Sequence, residues 1–181
     1  ITATNTIVAE DAVFDLAGKV SGTLQNAGEL HVTGNTANVD GTLRNVGTVD
    51  LSRDRGSSDV LRVGGLSGEG IYKLDINLRD MTSDRIDVNG GAATGNYQLR
   101  LNYVGAGGVP EIGQSLTLID VDEAQGAAND YTFSIDKLPT GTERIVYAVH
   151  RAAENGDLQF STGLNPAIGG LIGNVTLTQT L

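Results

Sequence analysis

The chain has no cysteine and no tryptophan, only three prolines and one methionine, and 4% aromatic residues over its 181 positions. Without cysteine there is no disulfide, no thiolate metal site and no cysteine nucleophile. That suits a cytosolic protein, or a chain exported unfolded through a narrow path. With so few rings, the core has to be aliphatic, built from Val, Leu, Ile and Ala in layers. Positive charge is scarce as well. Twelve Lys and Arg face 22 Asp and Glu, for a net charge of −10 and a pI near 4.4. Nucleic-acid binding needs a basic patch and is excluded on this count, and docking on anionic lipid is disfavoured. No apolar run approaches the roughly 18 residues of a membrane helix. No signal-peptide pattern is visible at Ile1, so the chain is expected to be an excised fragment whose targeting segment lies outside it.

Between Arg100 and Lys137 there is no basic residue, while Glu111, Asp120, Asp122, Glu123, Asp130 and Asp136 are all acidic. A solvated acidic face is the expected reading of the stretch 111–136. Calcium is the sharper alternative. Asp120-Val-Asp122-Glu123 offers oxygen ligands, but it has neither the EF-hand spacing nor the Gly-Gly-x-Gly-x-Asp repeat of calcium-binding solenoids. No metal and no cofactor is assigned.

Glycine, by contrast, is abundant at 25 residues, and hydrophobic content is an ordinary 39%. That combination fits a turn-rich β-protein. Near the N-terminus the chain repeats itself. Val20-Ser-Gly-Thr-Leu-Gln-Asn-Ala-Gly-Glu-Leu-His-Val32 recurs nineteen residues later as Val39-Asp-Gly-Thr-Leu-Arg-Asn-Val-Gly-Thr-Val-Asp-Leu51. A repeat of about twenty residues marks a solenoid, whose units bury their apolar faces on one another. Within the second copy Val39, Gly41, Leu43, Asn45, Gly47, Val49 and Leu51 share one parity. Asp40, Thr42, Arg44, Val46, Thr48 and Asp50 share the other. A period of two means strand, with one face buried. Asn45 and Gly47 interrupt the apolar series, so each unit holds at least two short strands with a turn between them. Strands stacked on their own copies are parallel, and Asn26 and Asn45 are expected in register as an amide ladder.

A third, degenerate unit is expected where Leu66-Ser-Gly-Glu-Gly70-Ile-Tyr72-Lys-Leu74 aligns with Leu43 to Leu51. The offset grows to 23, which places Ser52 to Asp59 in a loop on the outside of the stack. After Leu74 the echo fades, although alternation persists at Tyr97–Tyr103, Ser115–Ile119, Tyr131–Ile135 and Ile145–Val149. Asn155-Gly156 precedes Leu158-Gln-Phe160, so Val149 and Phe160 are expected to flank a hairpin that closes the stack. The fold class is therefore all-β: a parallel β-helix (β-solenoid) with a C-terminal β-hairpin cap.

Leu66-Ser-Gly-Glu-Gly70, then Ser83-Asp-Arg-Ile-Asp-Val88-Asn-Gly90 with Ala93-Thr-Gly95, resembles the pertactin-like passenger region of bacterial autotransporters. Ser115-Leu-Thr-Leu-Ile119 and the closing Asn155-Gly-Asp-Leu-Gln-Phe160 follow in that family's order. The resemblance covers about Leu61 to Phe160. The family's closing strand commonly carries Trp, and Leu158 and Phe160 take that place here. The resemblance implies the C-terminal end of a right-handed parallel β-helical passenger, the autochaperone, followed by a linker helix and a membrane β-barrel. It further implies a bacterial cell-surface or secreted location, attached through the outer membrane. The partner it implies is the chain's own C-terminal outer-membrane β-barrel translocator, outside this segment. On this reading residues 1–65 are regular β-helix coils with an outward loop near 52–59. Residues 66–163 are the pertactin-like autochaperone and cap, and residues 164–181 are a linker toward the translocator. The chain is expected to be a monomer.

Chemistry has weak support. His31 and His150 are the only histidines and sit in strand-like patterns without convergent partners. There is no Gly-x-Ser-x-Gly elbow. Asp80, Asp84 and Asp87 form the best carboxylate cluster. Asp84 and Asp87, three residues apart on a strand, face opposite sides, which suits turn formation and salt links with Arg79 or Arg85 better than glycoside chemistry. Arg55-Gly56-Ser57 is not an integrin motif, and Asn174-Val-Thr176 matches a glycosylation acceptor by chance. No catalytic, cofactor-binding or metal residue is assigned, and the chain is expected not to be an enzyme. Three readings follow: a structural stem and autochaperone that seeds folding and supports surface display; an adhesin module for a host glycan or matrix protein, using Arg53–Asp59 or the acidic stretch; and, third, a polysaccharide lyase or hydrolase.

Overall fold

A computed structural model describes residues 4–54, 56–105, 110–121, 130–142 and 144–166. Among the described residues there are sixteen strands, thirteen of which stack into three parallel columns around an aliphatic interior. The first column begins with β1 (Asn5–Val8), β4 (Thr23–Asn26) and the second half of β6 (Thr36–Asn45), and continues through β8 (Val60–Gly68), β12 (Ala93–Val104) and β14 (Asp130–Ile135). The second runs through β2 (Val13–Leu16), β5 (Glu29–Val32), β7 (Thr48–Asp50) and β9 (Ile71–Asn77) to the later part of β12. The third runs through β3 (Lys19–Val20), the first half of β6, the start of β8, β11 (Arg85–Val88) and β13 (Ser115–Val121). The two-residue β10 (Thr82–Ser83) lies antiparallel to β9. Strands β6, β8 and β12 turn a corner within themselves, so one strand serves two columns.

The nineteen-residue echo is the height of one coil. Leu24 pairs with Leu43, and Leu43 with Leu66, as expected, and Leu66 with Ala93. The inward parity is buried throughout: Leu24, Leu43, Leu66, Leu30, Val49, Tyr72, Leu74 and Leu99 are all fully inaccessible. Each such Leu or Val contributes about 1.5–3 kcal/mol relative to exposure. Asn26 and Asn45 stack as expected: the Asn26 Nδ2 donates to Asn45 Oδ1 at 2.8 Å, and Asn45 Nδ2 donates to the Ile71 carbonyl at 3.2 Å. On the next two levels of that corner stand Gly68 and Gly95, at φ of +110° and +124°. A Cβ at either would run into the carbonyl oxygen of the level beneath, Asn45 or Gly68. The amide ladder therefore gives way to a column of backbone in close approach.

Parallel stacking extends further than the fading echo suggests. From Leu43 to Leu66 the step is 23 residues, from Leu66 to Ala93 it is 27, and from Thr94 to Asp130 it is 36. The coils keep their register while the outward loops lengthen, which erases periodicity in the sequence without disturbing the stack. The third column ends on the hairpin of β15 (Ile145–Arg151) and β16 (Leu158–Leu164), with Val149 opposite Phe160 as expected. Strand β16 runs antiparallel to β13. Asp122 and Glu123, central to the calcium reading, lie outside the described residues, as do 167–181 of the linker, Asn174-Val-Thr176 and Arg55.

Candidate functional site

The two ends of the stack differ. Among the described residues, β1, β2 and β3 are each paired on one side only. That level offers a row of unpaired backbone groups, and the side chains of Ile7 and Val13 are exposed on it. At the other end the hairpin seals the third column, while β14 in the first column is paired on one side only among the described residues. Phe160 and Leu158, in the closing strand, are fully buried, and Phe160 packs against Tyr147 at 5.7 Å between ring centroids. Aliphatic and phenyl bulk thus fills the position where the resemblance places Trp.

A chain of tyrosines links stack to seal. Tyr72 meets Tyr97 edge-on at 5.4 Å, and Tyr97 stacks on Tyr131 at 5.4 Å with 22° between planes. The guanidinium of Arg151, on the hairpin, lies 4.9 Å over the Tyr131 ring. The Tyr131 hydroxyl donates to the Gly156 carbonyl in the hairpin turn at 2.6 Å. Burial pushes the Tyr131 phenol up to about 12, against the opposing pull of Arg151, so it stays a neutral donor. Asp157 completes the seam. Its Oδ1 accepts from the Val121 amide at 2.9 Å, and its Oδ2 from Asn155 Nδ2 at 2.6 Å. Sequence reasoning registered these tyrosines only as members of alternating strands. Their inward parity was readable, but unequal loops hid that their rings meet across the columns.

The histidines and carboxylates have structural partners. His31 is buried on β5, with Nδ1 at 2.9 Å from Asp15 and Nε2 at 3.0 Å from Glu29. His150 is exposed on the hairpin, 3.4 Å from Ser161 Oγ. Asp84 and Asp87 diverge as their spacing requires. Asp87 points outward to Arg85 and Arg62 at 2.5 and 3.6 Å, while Asp80 pairs with Arg79 at 3.9 Å. Asp84 makes no salt link with either expected arginine. Its side chain is buried and accepts two backbone amides, Asp59 at 3.0 Å and Asp75 at 2.7 Å. In the outer loop, Arg53, Asp54 and Ser58 are exposed. Asp59 departs from the expectation of a wholly exposed Arg53–Asp59 loop. It is buried, because the loop returns into the stack there to begin β8. Among the described residues no group of His, Asp or Glu converges as a metal site.

The geometry defines a class: a parallel β-helix with a β-hairpin packed on its last coil. The sequence profile of the family described as Pertactin matches residues 37–142, more than half the chain. The chain belongs to the pertactin family, as a pertactin-like autotransporter passenger region. Its fold is similar to that in the crystal structure of the Haemophilus influenzae Hap adhesin, with a TM-score of 0.62 and 22% identity over 87% of this chain. The chain spans 18% of the length of that adhesin chain. No curated protein matches by sequence.

Proposed function

We propose that this segment is the structural stem and autochaperone of a surface-displayed passenger, seeding its folding and supporting its secretion. The observation that carries this reading is an in-register parallel stack with a hairpin on one end. The hairpin seals the third column beyond β13, and the coils from β1 to β12 repeat one parallel register in which each coil is the template for its neighbour. If the sealed end emerges first, its stable coils supply a template edge, and each added coil gains nearest-neighbour contacts. A folded coil does not slide back through a narrow channel, so folding outside biases export. The partner is the chain's own outer-membrane β-barrel, downstream of this segment, and the location is the bacterial surface. Residues 66–163 act as autochaperone and cap, residues 1–65 as stem, and residues 164–181 as the linker. The segment works as a monomer and without catalysis.

Leu99 and Leu118 are fully buried in different columns. Leu99→Asp or Leu118→Asp would place an unpaired carboxylate in the stack, and each is expected to abolish surface display of the upstream passenger in the full-length protein. Normal surface levels for both would overturn the reading. A second reading is adhesion, favoured by the exposed Arg53, Asp54 and Ser58 on the outer loop and by the named adhesin that shares the fold. Replacing that loop by Gly-Ser should then remove binding to host glycan or matrix protein while leaving stability unchanged. For the lyase or hydrolase reading Asp84 and Asp87 offer no convergent pair, and the segment is expected to be inactive on a glycan panel.

A further inference from the structure

Three carboxyls meet where the outer loop re-enters the stack. Asp59 ends the loop, Asp75 lies on β9, and Asp84 joins β10 to β11. All three are more than nine-tenths buried. The Asp84 carboxylate holds the Asp59 and Asp75 amides, and the Arg85 amide returns to the Asp59 carbonyl at 2.8 Å. Asn102 Nδ2 donates to Asp75 Oδ1 at 2.6 Å. The remaining oxygens, Asp59 Oδ2 and Asp75 Oδ2, are buried and accept no hydrogen bond. Among the described residues no cation pairs with any of the three. Lys73 on β9 is committed to Asp50 at 3.2 Å, Arg85 on β11 to Asp87, and Arg100 on β12 to Asp136 at 3.9 Å. The other charges that act on the cluster are negative: Asp54 on the loop and Asp50 at the end of β7. Three buried, uncompensated negative charges are unfavourable, and the usual relief is to keep a proton.

We propose that Asp59, Asp75 and Asp84 form a proton-operated clamp: a retained proton holds the outer loop to the coil stack, and its release to solvent as pH rises loosens the loop. Burial is the main cause of the raised affinity for protons. It lifts Asp84 to about 7 against its two amide bonds and Asp75 to about 6 against Asn102, and raises Asp59 as well. The sign follows from linkage. Each carboxyl binds its proton more tightly folded than unfolded, where its pKa is about 4. The stability it contributes is therefore full below about pH 4 and is lost as pH rises through 6 to 7.

Native-state hydrogen exchange of the Asp59 and Asp75 amides, corrected for intrinsic rates, tests the clamp in the intact chain. Protection should fall about tenfold or more between pH 5.5 and 8.5, one power of ten per pKa unit of differential binding. The Leu24 amide, two coils away, should change much less. Asp84→Asn should remove the pH dependence at both amides. Asp75→Asn keeps the Asp84 acceptors and removes one of the negative charges that raise the proton affinity of Asp84, so it should make the loss of protection smaller and move it to lower pH. If a variant fails to fold, carboxyl carbon titration of the unaltered protein decides. At least one of the three should titrate at or above pH 6. Titration of all three below pH 5, or unaltered pH dependence in both variants, would overturn the proposal.

Discussion

Replacing Tyr131 by leucine tests whether the tyrosine column couples the coils to the hairpin. The ring is buried, so leucine keeps most of the apolar burial and removes three specific interactions. Stacking on Tyr97 is worth about 0.5–1.5 kcal/mol. The Arg151 guanidinium over the ring adds about 0.5–2 kcal/mol. The hydroxyl bond to Gly156 adds about 0.5–1.5 kcal/mol. Together they predict a loss of about 2–4 kcal/mol for Tyr131→Leu, allowing for non-additivity. Tyr131→Phe, which loses only the hydroxyl bond, should lose about 1 kcal/mol. Urea unfolding gives the free energies, and hydrogen exchange resolves where they act. The extra opening should appear first at the amides of Val149 and Phe160, which face each other across the hairpin. A loss under 0.5 kcal/mol for Tyr131→Leu, or equal loosening at Leu24 and Phe160, would refute the seam.

Gly68→Ala forces a methyl onto the Asn45 carbonyl and a side chain into positive φ, so it should destabilise by about 3 kcal/mol or more in thermal or urea unfolding. Gly113→Ala, also at positive φ but in open space, should lose about 1 kcal/mol, which separates the close approach from the backbone strain. Asn45→Ala breaks the ladder bond and takes the side-chain donor from the Ile71 carbonyl; it should lower stability by about 1–3 kcal/mol, measured by the urea midpoint.

Much of the solenoid was legible because two neighbouring copies match without insertion: Leu24 to Leu43 and Glu29 to Thr48 are both steps of nineteen. When successive coils are nineteen residues long, Leu24 and Leu43 declare themselves as neighbours, and so do Asn26 and Asn45. The same reasoning reached Leu66 and Tyr72 by allowing four inserted residues. It did not reach Thr94 opposite Asp130, because a 36-residue step leaves no period to detect. The Val149–Phe160 pairing was readable from the Asn155-Gly156 turn. Asp59 was misplaced on the surface because its neighbours are polar. Nothing local reveals that its amide and carbonyl are claimed by β11 and the residue before it.

Taken alone, the sequence determined the strand period, the coil height, the aliphatic core, the in-register asparagines and the family. All of these depend on residues near one another or on a fixed repeat, and such patterns survive projection onto a line. Tertiary structure alone decided that Tyr72, Tyr97, Tyr131 and Arg151 form one run of ring contacts across the columns, and that Asp59, Asp75 and Asp84 meet with no cation paired to them among the described residues. Those contacts span loops of unequal length, and burial, hydrogen-bond acceptance and proton affinity are set by what surrounds a group in space.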